Sequence, residues 1–131
     1  MKVLIVSHGN LSHELKKTAE MIVGKREEVI TFGLQPEASP ESFKEEILKE
    51  IEDNEATEFL VLVDILGGTP FNSLVQVLGN KNIEIVIGFN LGMLLEILLN
   101  MDNKSLFELS QYAKEKGLES ILTKSDLLKQ F

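Results

Sequence analysis

Cysteine and tryptophan are absent from the 131 residues, tyrosine occurs once and proline three times. Without cysteine there is no disulfide, no thiolate nucleophile and no cysteine zinc site. Positive charge is scarce as well: 13 Lys and Arg stand against 21 Asp and Glu, a net charge of -8. Nonspecific nucleic-acid binding draws its affinity from neutralised phosphates and needs the opposite balance. Long apolar runs are missing. The first, residues 3–6, is too short for a signal-peptide core, and the longest, Phe59–Val63, falls far below the ~20 residues of a membrane span. What is there is the composition of a globular protein, 44% hydrophobic and 26% charged, with no repeat, low-complexity stretch or linker. These features predict a single acidic, cytoplasmic domain over residues 1–131.

Short β-branched runs alternate with segments of helical period, the pattern of an α/β fold with an open parallel sheet and helices on both faces. Val3-Leu4-Ile5-Val6 is apolar at every position, as a strand buried on both faces requires. Asn10 or Ser12 is placed to cap a helix reaching about Val23, closed by Gly24. Residues 29–32 read as the second strand and 33–38 as a loop. Ser39-Pro40 then starts a helix that buries Phe43, Ile47 and Ile51 and turns its charges outward. Residues 59–64 form the third strand, and Thr69-Pro70 opens a helix through Phe71, Leu74, Val75 and Leu78 that Gly79 ends. Ile83–Ile87 is the fourth strand, linked through 88–92 to a helix over about 93–99. Ser105 caps a helix ending at Gly117, residues 120–123 read as a fifth strand, and Ser125 caps a short last helix. The expected strand order is flavodoxin-like, 2-1-3-4, with the fifth strand at the edge beside the fourth.

In an open parallel sheet, ligands bind beyond the carboxyl ends of the strands where the order reverses. Ser7-His8-Gly9 leaves strand one there, beside Asp64-Ile65-Leu66-Gly67-Gly68-Thr69-Pro70 leaving strand three. Neighbouring strands lie ~4.8 Å apart, so His8 and Asp64 fall within hydrogen-bonding reach. A carboxylate on one ring nitrogen fixes the tautomer and leaves the other nitrogen with a free lone pair, as a nucleophile, a general base or a metal ligand needs. Gly9 removes bulk beside the ring. Gly67, Gly68 and Thr69 join a strand end to a helix start, where free amides, the helix dipole and the Thr69 hydroxyl favour an anion. The reading is a histidine facing a phosphate-sized pocket. A metal site lacks a third ligand, since His13, the only other histidine, reads as a surface residue; a secondary role near the anion stays open for it. Neither a metal nor a cofactor is expected. There is no P-loop spacing, no GxGxxG and no GxSxG elbow, and strand one ends without the acidic cluster of an aspartyl-phosphate receiver.

Three segments together, Ser7-His8-Gly9, Asp64 followed by Gly67-Gly68-Thr69-Pro70-Phe71-Asn72, and Gly88-Phe89-Asn90-Leu91-Gly92-Met93, resemble the enzyme IIA component of the mannose family. This family belongs to the bacterial phosphoenolpyruvate-dependent sugar phosphotransferase system. The resemblance runs over essentially the whole chain. It implies a phosphotransferase component in which His8 accepts a phosphoryl group from the phosphocarrier HPr and passes it to a IIB component, which phosphorylates the sugar at the IIC/IID membrane permease. It further implies that Asp64 holds the proximal ring nitrogen while the distal one is phosphorylated, with Thr69 beside the phosphoryl group. Members commonly form homodimers by exchanging a C-terminal strand, here 120–123. With the chain ending at Phe131, IIB is expected on a separate polypeptide.

Read without the resemblance, the same residues also fit a non-covalent flavodoxin-like module for a phosphometabolite. Within the family, a regulatory phosphorylation sensor is the alternative to a transport role. Of the apolar residues near the loops, Leu66, Leu91 and Met93 are the expected docking rim for partner proteins. A phosphoryl group would add nearly two negative charges, and neither loop carries a lysine or arginine. The amides of 67–69, the Thr69 hydroxyl and helix termini are left to stabilise it.

Overall fold

Strands β1 (Lys2–His8), β2 (Val29–Leu34), β3 (Phe59–Val63) and β4 (Ile83–Ile87) form one open sheet in the order β2-β1-β3-β4. Every pairing is parallel. The computed structural model describes residues 1–55 and 57–130. Among these the sheet is covered on one face by α1 (Leu11–Val23), α4 (Leu91–Asn100) and α5 (Leu106–Glu119). The other face carries α2 (Pro40–Glu52) and α3 (Gly68–Asn72). A short α6 (Lys124–Leu128) closes the chain and buries nothing.

The two faces explain why β1 is apolar throughout. Val3 and Ile5 point into a core shared with Leu94, Ile97 and Leu109, while Leu4 and Val6 point into a second core with Phe43, Ile47 and Leu74. Side chains alternate across a strand, so a strand sandwiched by helices needs apolar residues at odd and even positions alike. Each fully buried Val, Leu or Ile contributes roughly 1.5–3 kcal/mol. Those contacts hold the carboxyl ends of β1 and β3 side by side, with Val6 opposite Val63.

The expected order 2-1-3-4 is the one found. The fifth strand is not. α5 runs past Gly117, which is buried against Met93, and ends at Glu119 with Ser120 as its C-cap. Residues 121–123 are irregular and pair with no strand among the described residues. A strand exists only as part of a ladder, and this segment has none.

Three smaller expectations are also corrected. β2 extends to Leu34. The helix opened by Thr69-Pro70 lasts one turn, and the chain tightens at Val75–Val77 into a 3₁₀ turn. The β-branched Val75 and Val77 are poor helix formers, and the amides of Leu74 and Val77 bond three residues back rather than four. Thr123, not Ser125, caps the last helix, in a reciprocal pair with Asp126.

Candidate functional site

His8 is the last residue of β1, and Asp64 follows β3 directly. One carboxylate oxygen of Asp64, Oδ2, accepts two hydrogen bonds from His8: 2.9 Å from the backbone N–H and 2.8 Å from ring Nδ1. The other, Oδ1, accepts from the N–H of Ile65 at 2.9 Å. Burial raises the Asp64 pKa, but the His8 backbone N–H, the His8 ring, the Ile65 N–H and the charge of the ring outweigh it and hold the carboxyl below its ordinary value. An ionised carboxylate can only accept, so Nδ1 carries the proton and Nε2 is left with its lone pair. The Asp64 side chain is 9% exposed and that of His8 is 47% exposed. The anchor is buried and the reactive edge is open.

Nε2 faces the turn after β3. A Cβ on Gly68 would stand 3.2 Å from both Cε1 and Nε2 of His8, and Gly68 has φ of +80°. Any side chain there would be strained and would press on the ring. Gly9, by contrast, meets nothing within 4 Å; what it supplies is a positive φ of +55° at the turn into α1. The bulk kept away from His8 is therefore that of residue 68, not residue 9. Among the described residues the N–H groups of Leu66, Gly67, Gly68 and Thr69 have no acceptor, and the Thr69 hydroxyl has no partner. These uncommitted donors belong to the turn whose Gly68 backs the His8 ring. No three His, Asp or Glu side chains among the described residues converge to hold a metal ion.

The first turn of α1 is tied down by a residue that sequence reasoning passed over. Asn10 makes no side-chain cap, and the buried Ser7 hydroxyl instead accepts from the N–H of Ser12 at 2.8 Å. Ser7 follows the all-apolar run Val3–Val6 within β1 and is buried with it, which is the signal that was available. His13 is half-buried rather than on the surface: Nδ1 is hydrogen-bonded to Oγ1 of Thr31 on β2. Helix α1 lies over β2, and this brings His13 against the sheet.

Of the expected docking rim, Leu66 is 71% exposed; its chain neighbour Ile65 is exposed too, as is Leu11, three residues after His8. Met93 is 4% exposed, and it and the partly buried Leu91 pack into the core. These two do not form a rim, because Asn90 starts α4 and rolls both under α5. The Asn90 side chain accepts from the N–H of Met93 at 2.8 Å and donates to the carbonyl of Gly117 at 3.0 Å. The segment from Gly88 to Met93 thus serves as the joint between α4 and α5.

The EIIA-man family model, described as PTS system fructose IIA component, matches residues 2–114. The chain belongs to this family. It is a IIA component of the sugar phosphotransferase system, a phosphoryl carrier in sugar uptake. It is 30% identical over 110 residues to the sorbose-specific EIIA component of Lacticaseibacillus casei, covering 83% of this chain and 80% of that one. It is 34% identical over 122 residues to the mannose-specific EIIAB component of Escherichia coli, where the match spans 91% of this chain but 38% of the relative. The fold is similar to that of the IIA protein associated with the fucose utilization operon of Streptococcus pneumoniae. There the TM-score is 0.86 at 30% identity, over 97% of this chain and 95% of the other. For a IIA component, the site described above offers one accessible imidazole nitrogen with a donor-rich turn in front of it.

Proposed function

We propose that His8 is the phosphoryl acceptor and donor of this IIA component, working with HPr and a IIB component. The observation that carries the reading is the 2.8 Å contact between His8 Nδ1 and Asp64 Oδ2 with Nε2 left free. The Nε2 lone pair attacks phosphorus, the P–N bond of phospho-HPr breaks, and its electron pair returns to the HPr imidazole. The Nδ1 proton stays where it is, so the phosphorylated ring carries positive charge that Asp64 balances. The amides of Gly67, Gly68 and Thr69 and the Thr69 hydroxyl receive the phosphoryl oxygens. The same steps in reverse deliver the group to IIB, and through IIB to a IIC/IID permease.

In this reading Leu66, Ile65 and Leu11 form the apolar rim on which partners dock and exclude water, and His13 takes no part. Residues 1–131 act as a single, cytoplasmic IIA domain. The free edge of β4 supports a homodimer. A groove along Glu84 to Gly88 is lined by Leu118 and Ile121, both exposed apolar side chains, and the next residue, Leu122, is exposed as well. Unpaired edges of this kind recruit a strand from another chain.

Incubation with phosphoenolpyruvate, enzyme I and HPr is expected to give one acid-labile, base-stable phosphate per chain. His8→Ala should abolish it and His13→Ala should keep it. Label that persists in His8→Ala overturns the assignment.

A further inference from the structure

A phosphoryl group on His8 brings nearly two negative charges to a chain of net charge -8, and no lysine or arginine lies in the two loops that meet there. The fold brings one from a third element. Thr69, next in the chain to the glycine that backs the His8 ring, also lines an open cleft. The other walls of this cleft are Asn72 and Ser73 from the α3 turn and Pro40, Glu41 and Lys44 from the first turns of α2. Ser39 caps α2, and the buried Phe43 and Ile47 fix the rotation of the helix, which sets Lys44 at the cleft wall.

Lys44 is half-buried, and among the described residues no carboxylate lies within 4 Å of its ammonium. The Thr69 hydroxyl and the Asn72 carboxamide also lack partners among those residues. Three uncommitted polar groups therefore share one cleft with an edge at the phosphoryl turn. Glu41 faces the same space with the opposite sign. Ser73 is occupied, its hydroxyl donating to the carbonyl of Thr69 at 2.8 Å.

We propose that Lys44 is the counter-charge of the phosphorylated state. This inference rests on the phosphohistidine reading above. The lysine stem is flexible and its ammonium gives up no ion pair in swinging along the cleft toward Thr69 and the phosphoryl oxygens. Glu41 opposes it, so the affinity of the site for the phosphoryl group is set by the difference between one cation and one anion. A balance of that kind keeps the group transferable: a stronger cation set would hold it too tightly to pass on.

The test is the equilibrium constant between the phosphorylated chain and phospho-HPr, measured on the full chain at low and at high salt. A constant between free species is blind to how the partners dock, so it separates a counter-charge from a docking contact. Lys44→Met is expected to move the equilibrium roughly two- to five-fold toward phospho-HPr at low salt. Lys44→Arg should restore it, and Glu41→Gln should move it the opposite way by a similar factor. Both shifts should shrink at high salt. If His8 is labelled in every variant but the constant stays put, or moves in the same direction for Lys44→Met and Glu41→Gln, the role of Lys44 is overturned and the phosphohistidine reading stands. If the unmodified chain takes no label at His8, both fall.

Discussion

Asp64 lies below the ordinary carboxylate value of 3.8 although burial pushes the other way, because three N–H groups converge on its two oxygens. A carboxyl depressed by folding adds stability at pH above its unfolded value. That contribution is lost as pH falls through the lower folded value. The stability gap between the parent and Asp64→Asn should hence close as the pH falls below 3.8, as urea unfolding at stepped pH would show. The same substitution tests the ring. An amide presents one acceptor and one donor where three donors now point. It must either face the Ile65 N–H with its own NH₂ or offer that NH₂ to Nδ1, which drives the His8 proton to Nε2. Transfer from phospho-HPr is expected to slow about 10- to 100-fold, the usual loss when a carboxylate that orients an imidazole is removed. Near-parent rates with the fold intact would mean that the tautomer does not matter.

At the scale of elements, the strand order, both carboxyl-end loops and the pairing of His8 with Asp64 were legible in the sequence. Each follows from burial: an all-apolar strand has to lie inside, and residues that leave two adjacent inside strands have to meet. The caps were harder to read. A capping residue is normally sought next to the helix, but the group that satisfies the first turn of α1 is Ser7, five residues before its partner and inside the strand. Ser7→Ala should cost about 1 kcal/mol, the usual price of a lost cap, measurable as a shift of the denaturation midpoint at unchanged slope. Glycines mislead in the same way. Sequence alone shows three glycines in the loops after β1 and β3, and only the packing shows that Gly68, not Gly9, makes room for the ring. Gly68→Ala is expected to impair transfer more than Gly9→Ala, since both strain a positive φ but only the first pushes on His8.

For the whole molecule, the misread segment is the informative one. Residues 120–123 have the composition of a strand, and a single chain gives them no ladder; the homodimer proposed above would supply one from a second copy. Among the described residues β4 has its outer edge unpaired, with apolar side chains around the adjoining groove, and natural sheets rarely leave such an edge uncovered. Removing everything after Ser120 discards α6, which has no buried side chain, and the exposed Ile121 and Leu122. The four-stranded core therefore stays whole. By analytical ultracentrifugation the full chain is expected to sediment as a dimer and the shortened one as a monomer. His8, on the β1–β3 side of the sheet, should take up label in both. A shortened chain that stays dimeric would place the interface elsewhere. One that is monomeric and cannot be labelled would mean that the second copy helps to build the phosphoryl site.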